Sequence, residues 1–256
     1  MPSNPILARW GRSEAALDCW ATGASAATVE ALGRLDCDAV VIDMQHSACE
    51  LRDVAAAIVA LESTGTAAVV RVPALDGATV QRVLDAGALG VMCPMVNTAA
   101  EAEQLASACR YPPRGTRSFG PWRPADGAAD YYREADDAIV AIAQIETLDA
   151  LDRAEEIAAV PGIDALYAGT ADLAISAGED PFGFGPEARD RLARMAAAAH
   201  AAGKRAGMLA PTAATLEVAA DCGMDLVSVA LESWLVVAGA TDALARGRAT
   251  LQAVRA

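Results

Sequence analysis

Two short apolar runs in this chain each lead into an acid. Ala141-Ile142-Ala143-Gln144-Ile145 is followed by Glu146, and Ala165 through Ala171 is followed by Asp172, about one strand-helix-strand unit later. If both runs are parallel strands of one barrel, the two carboxylates emerge on the same carboxyl-terminal face, where barrel enzymes build their chemistry. Carboxylate oxygens and water suit a hard divalent cation such as Mg2+ or Mn2+, and thiolate ligands are not needed. The segment Ile42-Asp43-Met44-Gln45-His46 puts an acid at another strand end and one of the two histidines just beyond it. A histidine there can accept a proton near neutral pH, or it can simply hydrogen-bond loop backbone. Arg71 ends the apolar run Val69-Val70, where a buried charge needs an anionic partner. That partner is either a substrate oxygen or a strand-end acid such as Asp43. Asp85, taken alone, reads as a solvated acid near a helix end, and His200 as a surface residue of an alanine-rich helix.

These residues need elements to position them. Period and punctuation predict eight strands: Leu17 to Thr22, Ala39 to Asp43, Ala67 to Val72, Leu89 to Cys93, Ala138 to Ile145, Ile163 to Ala168, Arg205 to Leu209 and Asp225 to Val229. Helical patterns fall between them: Ala26 to Arg34, Leu51 to Glu62, Ala78 to Asp85, Ala99 to Ala108, Leu148 to Ala158, Pro186 to Ala201, Ala213 to Asp221, and from about Ser233 to the end. Strand-like runs such as Val40-Val41-Ile42 are apolar on both faces, as in a parallel sheet covered by helices. Eight such units in 256 residues predict an α/β fold, a closed (β/α)8 barrel, as one domain over residues 1–256. The stretch from Tyr111 to Asp130, rich in Pro, Gly and Arg, reads as a long loop at the barrel mouth.

A formal net charge of −14 argues against a general attraction to nucleic acid or an anionic membrane. No run approaches the ~20 apolar residues of a membrane span, and the first residues lack the pattern of a secretory leader. A cytoplasmic location is expected. The six cysteines form no Cys-x-x-Cys pair and read as reduced, mostly buried side chains. Cys49 stands closest to His46.

Taken in order, several motifs resemble those of the HpcH/HpaI aldolase family. They are Ile42-Asp43-Met44-Gln45-His46, Val70-Arg71-Val72-Pro73, Arg82-Val83-Leu84-Asp85-Ala86-Gly87-Ala88, Pro94-Met95-Val96-Asn97-Thr98, Arg110-Tyr111-Pro112-Pro113-Arg114-Gly115, Gln144-Ile145-Glu146 and Gly169-Thr170-Ala171-Asp172-Leu173. The resemblance implies a phosphoenolpyruvate/pyruvate-type barrel and a metal-dependent pyruvate aldolase. Such an enzyme cleaves a 4-hydroxy-2-oxo acid to pyruvate and an aldehyde. It further implies that Glu146 and Asp172 hold a divalent cation, Mg2+ or Mn2+ with Co2+ an alternative. Gln144 and the backbone of Gly169, Ala171 and Asp172 would hold the pyruvate end. His46 would be the base, Asp85 would orient it, and Arg71 would stabilise the enolate. A homo-oligomer, trimer or hexamer, is implied too, with the C-terminal helix exchanged between subunits. Lys204, the one lysine, sits between a helix and a strand, which disfavours a Schiff-base mechanism.

The chain departs from the family pattern near the site. Gln45 and Ser47 flank His46 where Glu and Gly are usual, and Thr170, Ala174 and Ser118 replace Pro, Ser and Gly. The segment Phe119-Gly120-Pro121-Trp122-Arg123-Pro124 is unlike the family loop, and Trp122 and Arg123 are candidates to line an aldehyde pocket or to pack on the rim. Two other readings stay open: a lyase acting on an acyl-CoA thioester, and a barrel that binds a 2-oxo acid without turning it over.

Overall fold

A computed structural model describes residues 3–23, 25–123 and 131–255, with the backbone alone at Arg255. In chain order the elements are α1 (Pro5–Trp10), β1 (Ala16–Ala21), α2 (Ala26–Gly33), β2 (Ala39–Asp43), α3 (Leu51–Leu61), β3 (Ala67–Arg71), α4 (Gly77–Asp85), β4 (Gly90–Cys93), α5 (Ala99–Cys109), α6 (Tyr131–Ala138), β5 (Val140–Ile145), α7 (Leu148–Asp152), α8 (Ala154–Ala158), β6 (Ala165–Ala168), α9 (Thr170–Ser176), α10 (Pro186–Ala201), β7 (Arg205–Leu209), α11 (Ala213–Asp221), β8 (Leu226–Leu231) and α12 (Glu232–Arg255). All eight strands pair in parallel, each with its sequence neighbour, and β8 returns to β1 to close the barrel.

The strands are apolar on both faces because each face has a separate core to fill. Outward residues such as Val40, Ile42, Val70 and Val91 pack under the helices. Inward residues such as Val41, Val69, Met92 and Ile142 fill the barrel in layers. α1 closes the amino-terminal end. The Asn4 side chain caps this helix and donates to the Leu89 and Ala138 carbonyls at 3.0 and 2.8 Å, while Trp10 Nε1 donates to the Asp225 carbonyl.

Helix starts follow from capping. Thr98 and Glu101 form a reciprocal capping box on α5, and Asp76 accepts from two backbone amides of α4. The single helix expected over Leu148 to Ala158 is two, broken at Arg153. β5 begins at Val140 rather than Ala138 because α6 runs through Ala138.

The segment expected at the mouth lies elsewhere in its described part. Phe119 packs between Tyr111 and Tyr132, and Arg123 pairs with Glu62, the residue that ends α3 near the amino-terminal end of β3. The rim placement of Trp122 and Arg123 is therefore corrected; residues 124–130 lie outside the described part. α12 presents Trp234, Leu235, Val236, Val237, Leu244 and Leu251 to solvent in the isolated chain. Among the described residues no helix is long and apolar enough to cross a membrane.

Candidate active site

The carboxyl ends of β1, β3, β5, β6 and β7 enclose a cavity of about 140 Å3, lined by Trp20, Arg71, Gln144, Tyr167, Leu209 and the turn from Ala168 to Asp172. Glu146 follows β5 directly and is buried. Its Oε2 accepts the Met95 backbone N–H at 2.6 Å. Met95 has a φ of 55°, a left-handed conformation that non-glycine residues rarely adopt. The turn is braced from both sides: Asn97 Nδ2 donates to the Met95 carbonyl, and Thr147 Oγ1 donates to Asn97 Oδ1. Across the cavity, Gly169 permits the approach of β6, since a Cβ there would lie 2.5 Å from Glu146 Cγ. Asp172 then enters in the first turn of α9.

Burial pushes the Glu146 carboxyl up to about 7; the Met95 N–H and Arg71 oppose the shift, and Asp172 adds to it. A buried acid that resists ionisation, set against a second acid that is open to solvent, fits a divalent cation as counter-charge. Among the described residues no cluster of three or more His, Cys, Asp or Glu side chains could hold an ion. The pair would leave most of a coordination shell to water and ligand oxygens. Gln144 lines the same cavity, 3% exposed, with no partner for its Oε1.

Arg71 is clamped from the side. Its Nε and Nη2 donate to the two carboxylate oxygens of Asp43 at 2.9 and 2.5 Å, and its guanidinium lies 4.7 Å from the Trp20 ring centroid. Both residues are buried, and they are register partners on β2 and β3. Burial works against the Asp43 charge, but Arg71 outweighs it and holds the carboxyl below its ordinary range. Removing one partner of such a pair typically costs about 3–5 kcal/mol. Asp43 Oδ1 also accepts the backbone N–H groups of Gln45 and His46 at 2.9 and 3.3 Å, and the Ser47 hydroxyl donates to the Asp43 carbonyl. The loop carrying His46 is thus tied to the residue that aims Arg71, and the His46 ring is exposed.

The structure brings Arg71, Gln144, Glu146, Gly169, Ala171 and Asp172 together and ties the His46 loop to them. It does not bring Asp85 to His46 within this chain. Asp85 is the last residue of α4, toward the amino-terminal end of the barrel, and its carboxylate accepts from Arg117 Nη2 at 2.8 Å. The expected orienting contact is corrected accordingly. The Cys49 thiol is pushed up to about 11 by burial and stays neutral at ordinary pH. His200 pairs with Asp225, 2.8 Å away, away from this cavity. A larger cleft of about 480 Å3 lies at the amino-terminal end beside Glu62 and Arg123, apart from the carboxylate pair.

Four participants had escaped the residue-by-residue reading. Trp20, Tyr167 and Leu209 are inward positions near strand ends, which period-2 alternation and the scarcity of aromatics could have flagged. The Met95 N–H carries no such signal, because nothing in its residue type announces a left-handed backbone.

Because Glu146 binds its proton more tightly when folded than at its ordinary value of 4.5, its contribution to stability is intact at low pH and is lost as pH rises toward about 7. In metal-free protein, Glu146→Gln keeps an acceptor for Met95 and removes this loss. Its unfolding free energy should fall less than the parent's between about pH 5 and pH 8, by on the order of 1–3 kcal/mol, in denaturant titrations. Identical pH dependence in the two proteins would contradict the assignment.

The comparisons with known proteins agree in extent. The model of the HpcH/HpaI aldolase/citrate lyase family matches residues 17–238. A hydroxypyruvate/pyruvate aldolase of Rhizorhabdus wittichii is 40% identical over 249 residues, covering 96% of this chain and 99% of that protein. A 4-hydroxy-2-oxovalerate aldolase of Novosphingobium aromaticivorans is 36% identical, covering 98% of this chain and 97% of that protein. The crystal structure of an HpcH/HpaI aldolase/citrate lyase family protein from Burkholderia cenocepacia superposes with a TM-score of 0.90 at 31% identity, covering 96% of this chain and all of that one. With its barrel and its strand-end carboxylates, the chain belongs to the HpcH/HpaI aldolase/citrate lyase family.

Proposed function

We propose that this chain is a metal-dependent aldolase, a carbon–carbon lyase that reversibly cleaves a 4-hydroxy-2-oxo acid to pyruvate and an aldehyde. The observation that carries the reading is the meeting of buried Glu146 with Asp172 beside one small cavity, which Asp172, buried Arg71 and the unpartnered Gln144 line. Glu146 and Asp172 would hold the cation, Mg2+ or Mn2+. When bound, it supplies Lewis-acid stabilisation of negative charge on the 2-oxo oxygen. The Gln144 amide and the backbone of Gly169, Ala171 and Asp172 hold the pyruvate end, since α9 begins with no side chain capping its first amides. His46 takes the proton of the 4-hydroxyl. The bond between carbons 3 and 4 then breaks, its electron pair passes to the former carbonyl oxygen, and the aldehyde departs. Protonation of carbon 3 from His46 gives pyruvate. Arg71, fixed by Asp43, offsets the alkoxide and enolate charge with the Nη1 amine that the clamp leaves uncommitted. A cavity of about 140 Å3 suits a small 2-oxo acid better than a nucleotide thioester, which counts against the acyl-CoA reading.

The assay is pyruvate release from a panel of 4-hydroxy-2-oxo acids. Activity should require Mn2+ or Mg2+, vanish with EDTA, fall by at least about a thousandfold in Glu146→Ala, and fall about 100-fold in His46→Ala. Cleavage that persists with EDTA would contradict the reading. We propose further that α12 docks its apolar face on a second copy, as in an exchanged helix. The particle mass of the full chain should be a multiple of 26.2 kDa, and Val237→Asp with Leu244→Asp should lower it; a monomeric parent would overturn this.

A further inference from the structure

Directly beneath the cavity lies a buried polar chain that the proposed reaction does not use. Asp18 projects inward from β1, is fully buried, and neither of its carboxyl oxygens has a hydrogen-bond partner in place. Its register partner on β8 is Ser228, also fully buried. The Ser228 hydroxyl lies 2.6 Å from the Tyr167 hydroxyl, which arrives from β6. That bond passes over β7 at Gly207, where a Cβ would stand 2.7 Å from both Tyr167 Cδ2 and the Leu226 carbonyl oxygen. Burial pushes the Asp18 carboxyl up to about 7, with Ser228 opposing the shift.

The chain ends at the cavity. Tyr167 and Trp20 both line it, with their ring centroids 5.9 Å apart, and Trp20 lies under the Arg71 guanidinium. Trp20 is two residues from Asp18 on the same face of β1, so these residues form a ring: Asp18 beside its register partner Ser228, Ser228 bonded to Tyr167, Tyr167 against Trp20, and Trp20 back on β1. Hydrogen count gives this ring a direction. If Tyr167 donates to Ser228, the serine proton is free to turn to Asp18 and no buried hydroxyl is left without an acceptor. Reversing the Tyr167–Ser228 bond would leave the phenol proton without one. A buried carboxyl without a partner is costly, and its one outlet here is the hydroxyl pair that fixes the aromatic floor.

We propose that Asp18, Ser228 and Tyr167 act together as positioning residues that hold the Tyr167–Trp20 floor rigid and so confine the donor to the smallest 2-oxo acids. The inference rests on the reading of this cavity as a 2-oxo acid site. Tyr167→Phe and Ser228→Ala cut the same link while keeping ring and strand, and Asp18→Asn cuts its far end. Affinities of the Mg2+-loaded full chain for pyruvate and for 2-oxobutyrate, measured by calorimetry, give a ratio that a merely structural role would not move. That ratio should favour pyruvate in the parent and fall by about threefold or more in Tyr167→Phe and in Ser228→Ala, the size of one hydrogen bond's net contribution. The double variant should fall no further than either single, and Ser228→Thr, which keeps a hydroxyl, should retain most of the parental value. Unchanged ratios in both folded single variants, or additive losses in the double, would overturn the proposal. Cleavage with unchanged ratios would remove this inference and leave the aldolase reading standing. Altered ratios in a chain that cleaves nothing would do the reverse. A parent that binds neither acid would overturn both.

Discussion

A carboxylate taken out of water and set against another acid is unfavourable unless something positive joins them, and the carboxyl end of this barrel is arranged around that condition. Glu146 is buried, its proton is held up to about 7, and Asp172 stands close enough to raise it further. The features around the pair keep the two acids in place. Gly169 gives up its side chain so that β6 can approach, and Met95 accepts a left-handed backbone so that one N–H can reach Glu146. A single backbone donor does not balance such a charge, and a divalent cation does.

The other charged pair at this face works differently, because it is internally balanced. Asp43 and Arg71 satisfy each other through two hydrogen bonds between neighbouring strands, with the Trp20 ring against the guanidinium. The guanidinium is thereby held in one orientation, which suits the charge-stabilising role proposed for it. One acid of the mouth is thus kept ionised by its arginine, while the other is held near neutrality by burial. The Asp43–Arg71 pair is balanced within itself and the Glu146–Asp172 pair is not, and the cavity lies beside both.

Much of this was legible in the sequence because parallel barrels repeat a simple pattern. β2, β7, α10 and α11 fall at their expected bounds, each an apolar run or stripe bracketed by capping or turn residues. α1, α6 and α9 were not anticipated: six to eight residues are too few to show helical periodicity, and Tyr-Tyr-Arg-Glu-Ala-Asp-Asp-Ala is mostly polar. The meeting of Glu146 and Asp172 at one end of the barrel could be read because each acid follows an apolar strand-like run, and parallel strands bring such ends to one face. Arg71 left two partners open, and the structure supplies Asp43 in the free chain. Asp85 does not meet His46 within this chain, because a motif carries no spatial information: α4 ends toward the other end of the barrel, and Arg117 pairs with Asp85 there. The Asp18–Ser228–Tyr167 chain could not be read at all, since it depends on the register across β6, β7, β8 and β1.

The central claim, that Glu146 and Asp172 together hold a divalent cation, is tested most directly by Mn2+ titration of the full chain, with free ion followed by electron paramagnetic resonance. The account predicts one tight site per chain, with affinity lowered about tenfold or more in both Glu146→Gln and Asp172→Asn while the fold is retained. Parental Mn2+ affinity in both variants would contradict it.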